Sequence, residues 1–174
     1  MKRTTVINLF GGPGSGKSTV AAGLFTELKK LGRDVEMVRE WVKLWAWEGK
    51  KMTYADQVVV FGNQVREETA LYNKVDIIIT DSPLILSGFY EEANYGTTHL
   101  IPAAKNIMKL AETNDVYYWN LFLKRQWPYQ VKGRFQNEAE ANELDKKMIK
   151  FLKTNKLTYE NVIDVKDIML EILQ

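Results

Sequence analysis

The 174-residue sequence contains no cysteine and a single histidine, His99. Without thiols there are no disulfides, no thiolate chemistry and no Cys-based zinc site, and one histidine excludes a His-clustered metal site. Charge of one sign is also scarce, with 24 Lys and Arg against 22 Asp and Glu, a net +2. So small a surplus argues against a general nucleic-acid or membrane surface and makes any attraction for anions local. No apolar run reaches membrane-spanning length. Met1-Lys2-Arg3-Thr4-Thr5 leads directly into a strand pattern and leaves no room for a signal peptide, so a cytoplasmic protein is expected. Internal repeats, low-complexity tracts and linkers are missing too. A single domain over residues 1–174 is the economical reading.

What is present begins with Gly11-Gly12-Pro13-Gly14-Ser15-Gly16-Lys17-Ser18-Thr19. This stretch fills G-x-x-x-x-G-K-[ST] at every fixed position, after a strand-like run (Val6 to Phe10) and before a helical pattern. Glycines permit backbone angles closed to other residues, so successive N–H groups can curl around an anion. The following helix adds its positive end. Lys17 is placed to reach the β- and γ-phosphates, and the Ser18 hydroxyl to reach Mg²⁺. Residues Gly12 to Thr19 are therefore the expected nucleotide-binding segment, with ATP and Mg²⁺ as the cofactors.

Apolar spacing predicts strands over 4–10, 34–39, 75–80, 116–123 and 159–165. Helices are expected over 17–31, from Trp41 to Gly49, from Thr53 to Tyr72, over 103–112, to about 153 and over 168–173. Gly32 stops the first long helix, and Thr53 with Asp56 three residues on starts another. In that helix Tyr54, Val58, Phe61, Val65 and Tyr72 form the expected apolar stripe, with Gln57 and Gln64 on its edge. Residues 82–100 read as mixed, with a mobile loop around Tyr95 to His99. Strands alternating with helices imply a parallel α/β sheet that binds ligands at its carboxyl ends.

Two acids fall at such ends. Asp81 follows Ile77-Ile78-Ile79-Thr80, where a carboxylate would hold Mg²⁺ together with Ser18; the competing reading is a turn cap before Ser82-Pro83. Asp76, at the start of that strand, lies at the wrong end. Glu40 can take the proton of an attacking hydroxyl or bond a sugar, or else cap the next helix. Trp45 and Trp47 are read as packing residues, and Trp41, which adjoins Glu40, as substrate-binding. Gln57 and Gln64 either contact a base edge or sit exposed on the helix. The basic stretch from Lys124 to Arg134 reads as a lid at about 124–137. There Arg125 and Arg134, with Lys132 behind them, are candidates to stabilise charge on a transferring phosphoryl group. Arg66 points away from the apolar stripe, and His99 is a surface loop residue.

Taken together, these residues resemble the small P-loop kinases of nucleosides and nucleotides. The phosphate loop is close to that of nucleotide kinases. Glu40-Trp41 followed by Val42-Lys43-Leu44-Trp45 resembles the glutamate-and-tryptophan segment of deoxynucleoside kinases, in which the glutamate is the base for the sugar hydroxyl. Lys132-Gly133-Arg134, with Glu138 and Glu140, is similar to their lid. Thr80-Asp81-Ser82-Pro83 is similar to the AAA-type ATPase/kinase group that includes ribosylnicotinamide kinases, many of them phage-encoded. Ser82 stands where deoxynucleoside kinases usually carry an arginine, and Glu40-Trp41 where they carry Glu-Pro.

The resemblance implies an α/β, three-layer P-loop NTPase fold with a five-stranded parallel sheet and a helical lid. The activity it implies is ATP-dependent phosphoryl transfer to a small nucleoside or nucleoside monophosphate. Partners are accordingly small molecules, not nucleic acid or membrane, with a homodimer left open. Two alternatives are a kinase acting on a modified base or terminus in DNA, and a P-loop ATPase switch working through a protein partner. Near-neutral charge argues against the first; no second domain is evident for the second.

Overall fold

The computed structural model describes residues 2–42, 45, 47–130, 132 and 136–173. Strands β1 (Thr4–Phe10), β2 (Val35–Val38), β3 (Ile77–Thr80), β4 (Val116–Leu123) and β5 (Glu160–Val162) form one parallel sheet in the order β2-β3-β1-β4-β5. Among the described residues the helices are α1 (Lys17–Lys30), α2 (Tyr54–Thr69), α3 (Leu84–Tyr95), α4 (Leu100–Glu112), α5 (Glu138–Thr154) and α6 (Val165–Ile172). Parallel strands need crossovers, and these helices cover both faces of the sheet. Ile7 and Leu9 of β1 pack with Leu24 and Leu28 of α1 and Ile168 of α6. Phe10 points the opposite way, to Leu84, Phe89, Ala104 and Met148 of α3, α4 and α5. The period-2 alternation of β1 thus divides the core into two layers.

Local signals set several boundaries. Thr53 and Asp56 form a reciprocal capping box, as do Asn137 with Glu140 and Asp164 with Asp167. Gly32, at φ +72°, ends α1: its N–H bonds Lys29 O, and the Arg33 N–H bonds Leu28 O. That pair of bonds is the Schellman motif.

Three expectations are corrected. Most of residues 82–100 are helix α3 and not mixed structure, with only residues 96–99 left as a connection to α4. The helix starts at Leu84 after Pro83 with no side-chain cap, and its first turns are buried throughout, so no amphipathic period marks it. Gly88 is needed where α3 meets α4, because a Cβ there would lie 2.6 Å from an Ile101 side-chain carbon. The segment after α3 hangs on Glu91, which is fully buried and accepts from the Leu100 N–H (2.7 Å), the Thr97 hydroxyl (2.9 Å) and the His99 N–H (3.1 Å). Burial alone would raise the pKa of Glu91, but these donors outweigh it and hold the carboxyl below its ordinary value.

The second correction concerns α2. The helix buries Gln57, Gln64 and Glu68 along with Val60 and Phe61, and leaves Tyr54, Val58 and Val59 exposed. Partners on the sheet side account for the rotation. Gln64 bonds the Thr80 hydroxyl (3.2 Å), and Glu68 accepts from the Tyr72 hydroxyl (2.6 Å), which also meets Tyr118 OH (2.6 Å). Third, β5 is shorter than expected, because Asp164 caps α6, whose first residue, Val165, lies three residues before the anticipated helix start at Ile168.

Candidate active site

The phosphate loop joins β1 to α1 at the carboxyl end of the central strand. Gly11, Gly14 and Gly16 take φ values of +145°, +77° and +96°, angles that strain any side-chain-bearing residue. Gly16 is left-handed at the N-cap of α1, which lacks a side-chain cap bond, so the helix's first N–H groups stay turned toward the loop. The Lys17 ammonium curls back onto Gly11 O (2.5 Å) and Gly12 O (3.2 Å). Burial pushes its pKa down, against the pull of Glu40, Asp81 and Asp145; the Arg125 guanidinium adds to the lowering. The Ser15 hydroxyl is buried with no hydrogen-bond partner.

Asp81, buried at the end of β3, links three segments. Its Oδ2 accepts from the Ser18 hydroxyl (2.5 Å) and its Oδ1 from the Glu40 N–H (3.0 Å). The end of β2, the end of β3 and the start of α1 are thereby tied together. Asp76 lies at the opposite end, paired with Lys2 at 3.1 Å. Glu40 and Trp41 line a cleft of about 570 Å³ along β2 and the last turns of α2. The Glu40 charge is felt by both Lys17 and Tyr90.

Arg125 and Trp127 of the 124–137 segment lie against the loop. Arg125 Nε donates to Asp145 Oδ2 (2.5 Å), Nη1 to Pro13 O (2.8 Å) and Nη2 to Ala141 O (3.1 Å). The guanidinium is committed to these partners rather than free above the loop. Trp127 covers Gly16: a Cβ on that glycine would fall 2.2 Å from the indole ring. Arg134 lies outside the described residues, as do Gly133 and Leu44. Sequence reasoning did not single out Asp145, Trp127 or Tyr90. Asp145 sits among the charges of α5 with no local mark, and only the tertiary fold carries it to the loop.

Gln57 and Gln64 are both buried, 3% and 1% exposed, which removes the exposed-surface reading. Gln64 Oε1 has no partner. Trp47 is 62% exposed, whereas Trp41 and Trp45 are half-buried. Arg66 is exposed, and the exposed His99 ring reaches Glu91 at 3.2 Å.

The donor set suits a polyphosphate with Mg²⁺. The loop offers an ammonium and a spare hydroxyl, and Ser18 and Asp81 bring two hard oxygen ligands within 2.5 Å of each other. Among the described residues no group of three or more His, Cys, Asp or Glu can hold an ion. Mg²⁺ on one or two protein oxygens, completed by phosphates and water, is the arrangement such a site supports.

A protein-family model described as an AAA domain matches residues 6–167. The chain belongs to the AAA domain family. The deoxyadenosine kinase from M. mycoides with bound dATP superposes on this AAA domain with a TM-score of 0.61 and 18% identity, over 97% of this chain and 100% of that one. The Mycobacterium tuberculosis APS kinase in complex with AMPPNP and APS gives 0.50 and 15%, over 94% and 82%. Both share a P-loop kinase-like fold with the AAA domain. Among curated proteins none matches the sequence. No helix of the described residues is long and apolar enough to cross a membrane.

Proposed function

We propose that this AAA domain is an ATP-dependent kinase that phosphorylates a small nucleoside or nucleoside monophosphate. The observation that carries the reading is the convergence of Lys17, Ser18, Glu40 and Asp81 at the carboxyl ends of three adjacent strands. Asp81 bonds both the Ser18 hydroxyl and the Glu40 backbone there. The loop amides and Lys17 would hold the β- and γ-phosphates, and Ser18 and Asp81 the Mg²⁺, which when bound neutralises charge on the phosphate oxygens. Lys17, drawn off its carbonyl partners, follows charge as it develops on the transferred group. Glu40 accepts the proton of an acceptor hydroxyl.

Glu40 favours a hydroxyl acceptor, since a monophosphate already carries its nucleophile. Gln57 and Gln64 are the candidates for reading the acceptor's base. Trp41, beside Glu40, is a candidate contact for the acceptor. The P-loop kinase-like fold shared with a deoxyadenosine kinase supports the reading at the level of scaffold. Coupled-enzyme ADP release, screened over nucleosides and nucleoside monophosphates with ATP and Mg²⁺, tests it. Turnover with one class names the acceptor; silence across the panel refutes the kinase.

A further inference from the structure

The start of the 124–137 segment and the phosphate loop meet on one carboxylate of the helix that follows the segment. Asp145, two turns into α5, uses its oxygens for different partners: Oδ1 accepts from the Gly12 N–H (2.5 Å) and Oδ2 from Arg125 Nε (2.5 Å). Arg125 continues the bracket to Pro13 O and back to Ala141 O. The end of β4, the start of α5 and the second and third residues of the phosphate loop are thus joined through one ion pair. Its side chains are only 20% and 16% exposed, so the contact is not a solvent-screened surface pair.

Gly12 supplies an independent observation. A Cβ there would stand 2.7 Å from Asp145 Oδ1, 2.9 Å from Ala141 O and 2.9 Å from Arg125 Nη2, so the bracket closes with no space for a methyl group.

We propose that Asp145 is a positioning residue that latches Arg125, just after β4, and the start of α5 to the phosphate loop, so that their placement and the loop geometry are set together. The latch rests on the reading of residues 11–18 as a polyphosphate site. A loop whose amides must converge on an anion binds better when its first turn is already held. The guanidinium of Arg125 offsets the carboxylate, so the latch does not place a bare negative charge beside a polyphosphate.

Electrostatics alone and the latch predict opposite signs. Removing the carboxylate leaves Arg125 unbalanced beside the loop, which by charge alone should tighten anion binding. Loss of the latch should weaken it. Calorimetry of Mg·ADP binding to the wild type, Asp145→Asn and Asp145→Ala, with thermal melts in parallel, decides between them. Asp145→Ala is expected to bind about tenfold more weakly despite losing a negative charge. Asp145→Asn keeps an oxygen for the Gly12 N–H and should recover part of that loss.

Alanine binding as tightly as the wild type, or asparagine no better than alanine, overturns the latch. If Asp145→Ala does not fold, Gly12→Ala replaces it, because its methyl group must force the bracket apart; unchanged affinity there overturns the latch equally. A wild type that binds no Mg·ADP sinks the polyphosphate reading and the latch with it. A wild type that binds while its variants are indifferent sinks the latch alone.

Discussion

Asp81 stands between two regions that treat their buried polar groups in opposite ways. On the phosphate-loop side the charged groups are paired, with loop carbonyls or with partners from distant parts of the chain. Lys17 rests on loop carbonyls, Ser18 on Asp81, and Asp145 on Gly12 and Arg125. Ser15 Oγ is the exception. On the α2 side the helix buries Gln57, Gln64 and Glu68 while Val58 and Val59 face solvent. There Gln64 Oε1, Glu68 Oε2 and the nearby Asn8 Oδ1 lack hydrogen-bond partners. A buried acceptor left unpaired costs roughly 1–3 kcal/mol. The first region is organised in advance; the second holds acceptors in reserve.

Breaking the organised side should cost most. Lys17→Ala is expected to lower ADP release by at least roughly 10²–10³-fold, the scale for losing one preorganised donor; a fully active variant refutes the assignment of Lys17. Glu40→Gln should reduce kcat by roughly 10²–10⁴-fold if a hydroxyl is the acceptor. Circular dichroism and melting of that variant should match the wild type, and an unchanged kcat would remove Glu40 as the base.

The α2 side should instead appear in stability against pH. Burial raises the Glu68 carboxyl from 4.5 to about 7. Between those values the folded protein binds more protons than the unfolded chain, so stability falls as pH rises from 4.5 to 7 and then levels. At about 1.4 kcal/mol per pH unit the total is on the order of 3 kcal/mol. Glu68→Gln should abolish that slope in melting curves taken at pH 5 and pH 8; a variant that keeps the wild-type slope disproves the attribution.

The smallest effect is expected at Trp127. Its indole covers Gly16, so its fluorescence should change when Mg·ADP seats. Trp127→Phe should lose that change with little loss of stability. An identical signal from the variant would assign it to another tryptophan.

The same contrast explains what was legible in the sequence. The phosphate loop is a contiguous motif whose glycines, lysine and serine state their chemistry locally. Asp81 and Glu40 are marked by the strands that precede them, and helix starts at Thr53 and stops at Gly32 by capping rules. The parallel α/β sheet followed from alternation. Helix α3 was missed because an element buried on nearly all sides shows no period. The face of α2 was misjudged because Val58 and Val59 look like core until the sheet offers partners to glutamine and glutamate instead. Asp145 needed the fold itself, since nothing near it in sequence points to Gly12.

The two outermost strands are short, four residues in β2 and three in β5, and each carries a glutamate, Glu36 and Glu160. An open sheet margin is a template on which a stray strand can zip, and brief, charged margins blunt that template. The sheet is thereby guarded against edge-to-edge aggregation at both of its open sides.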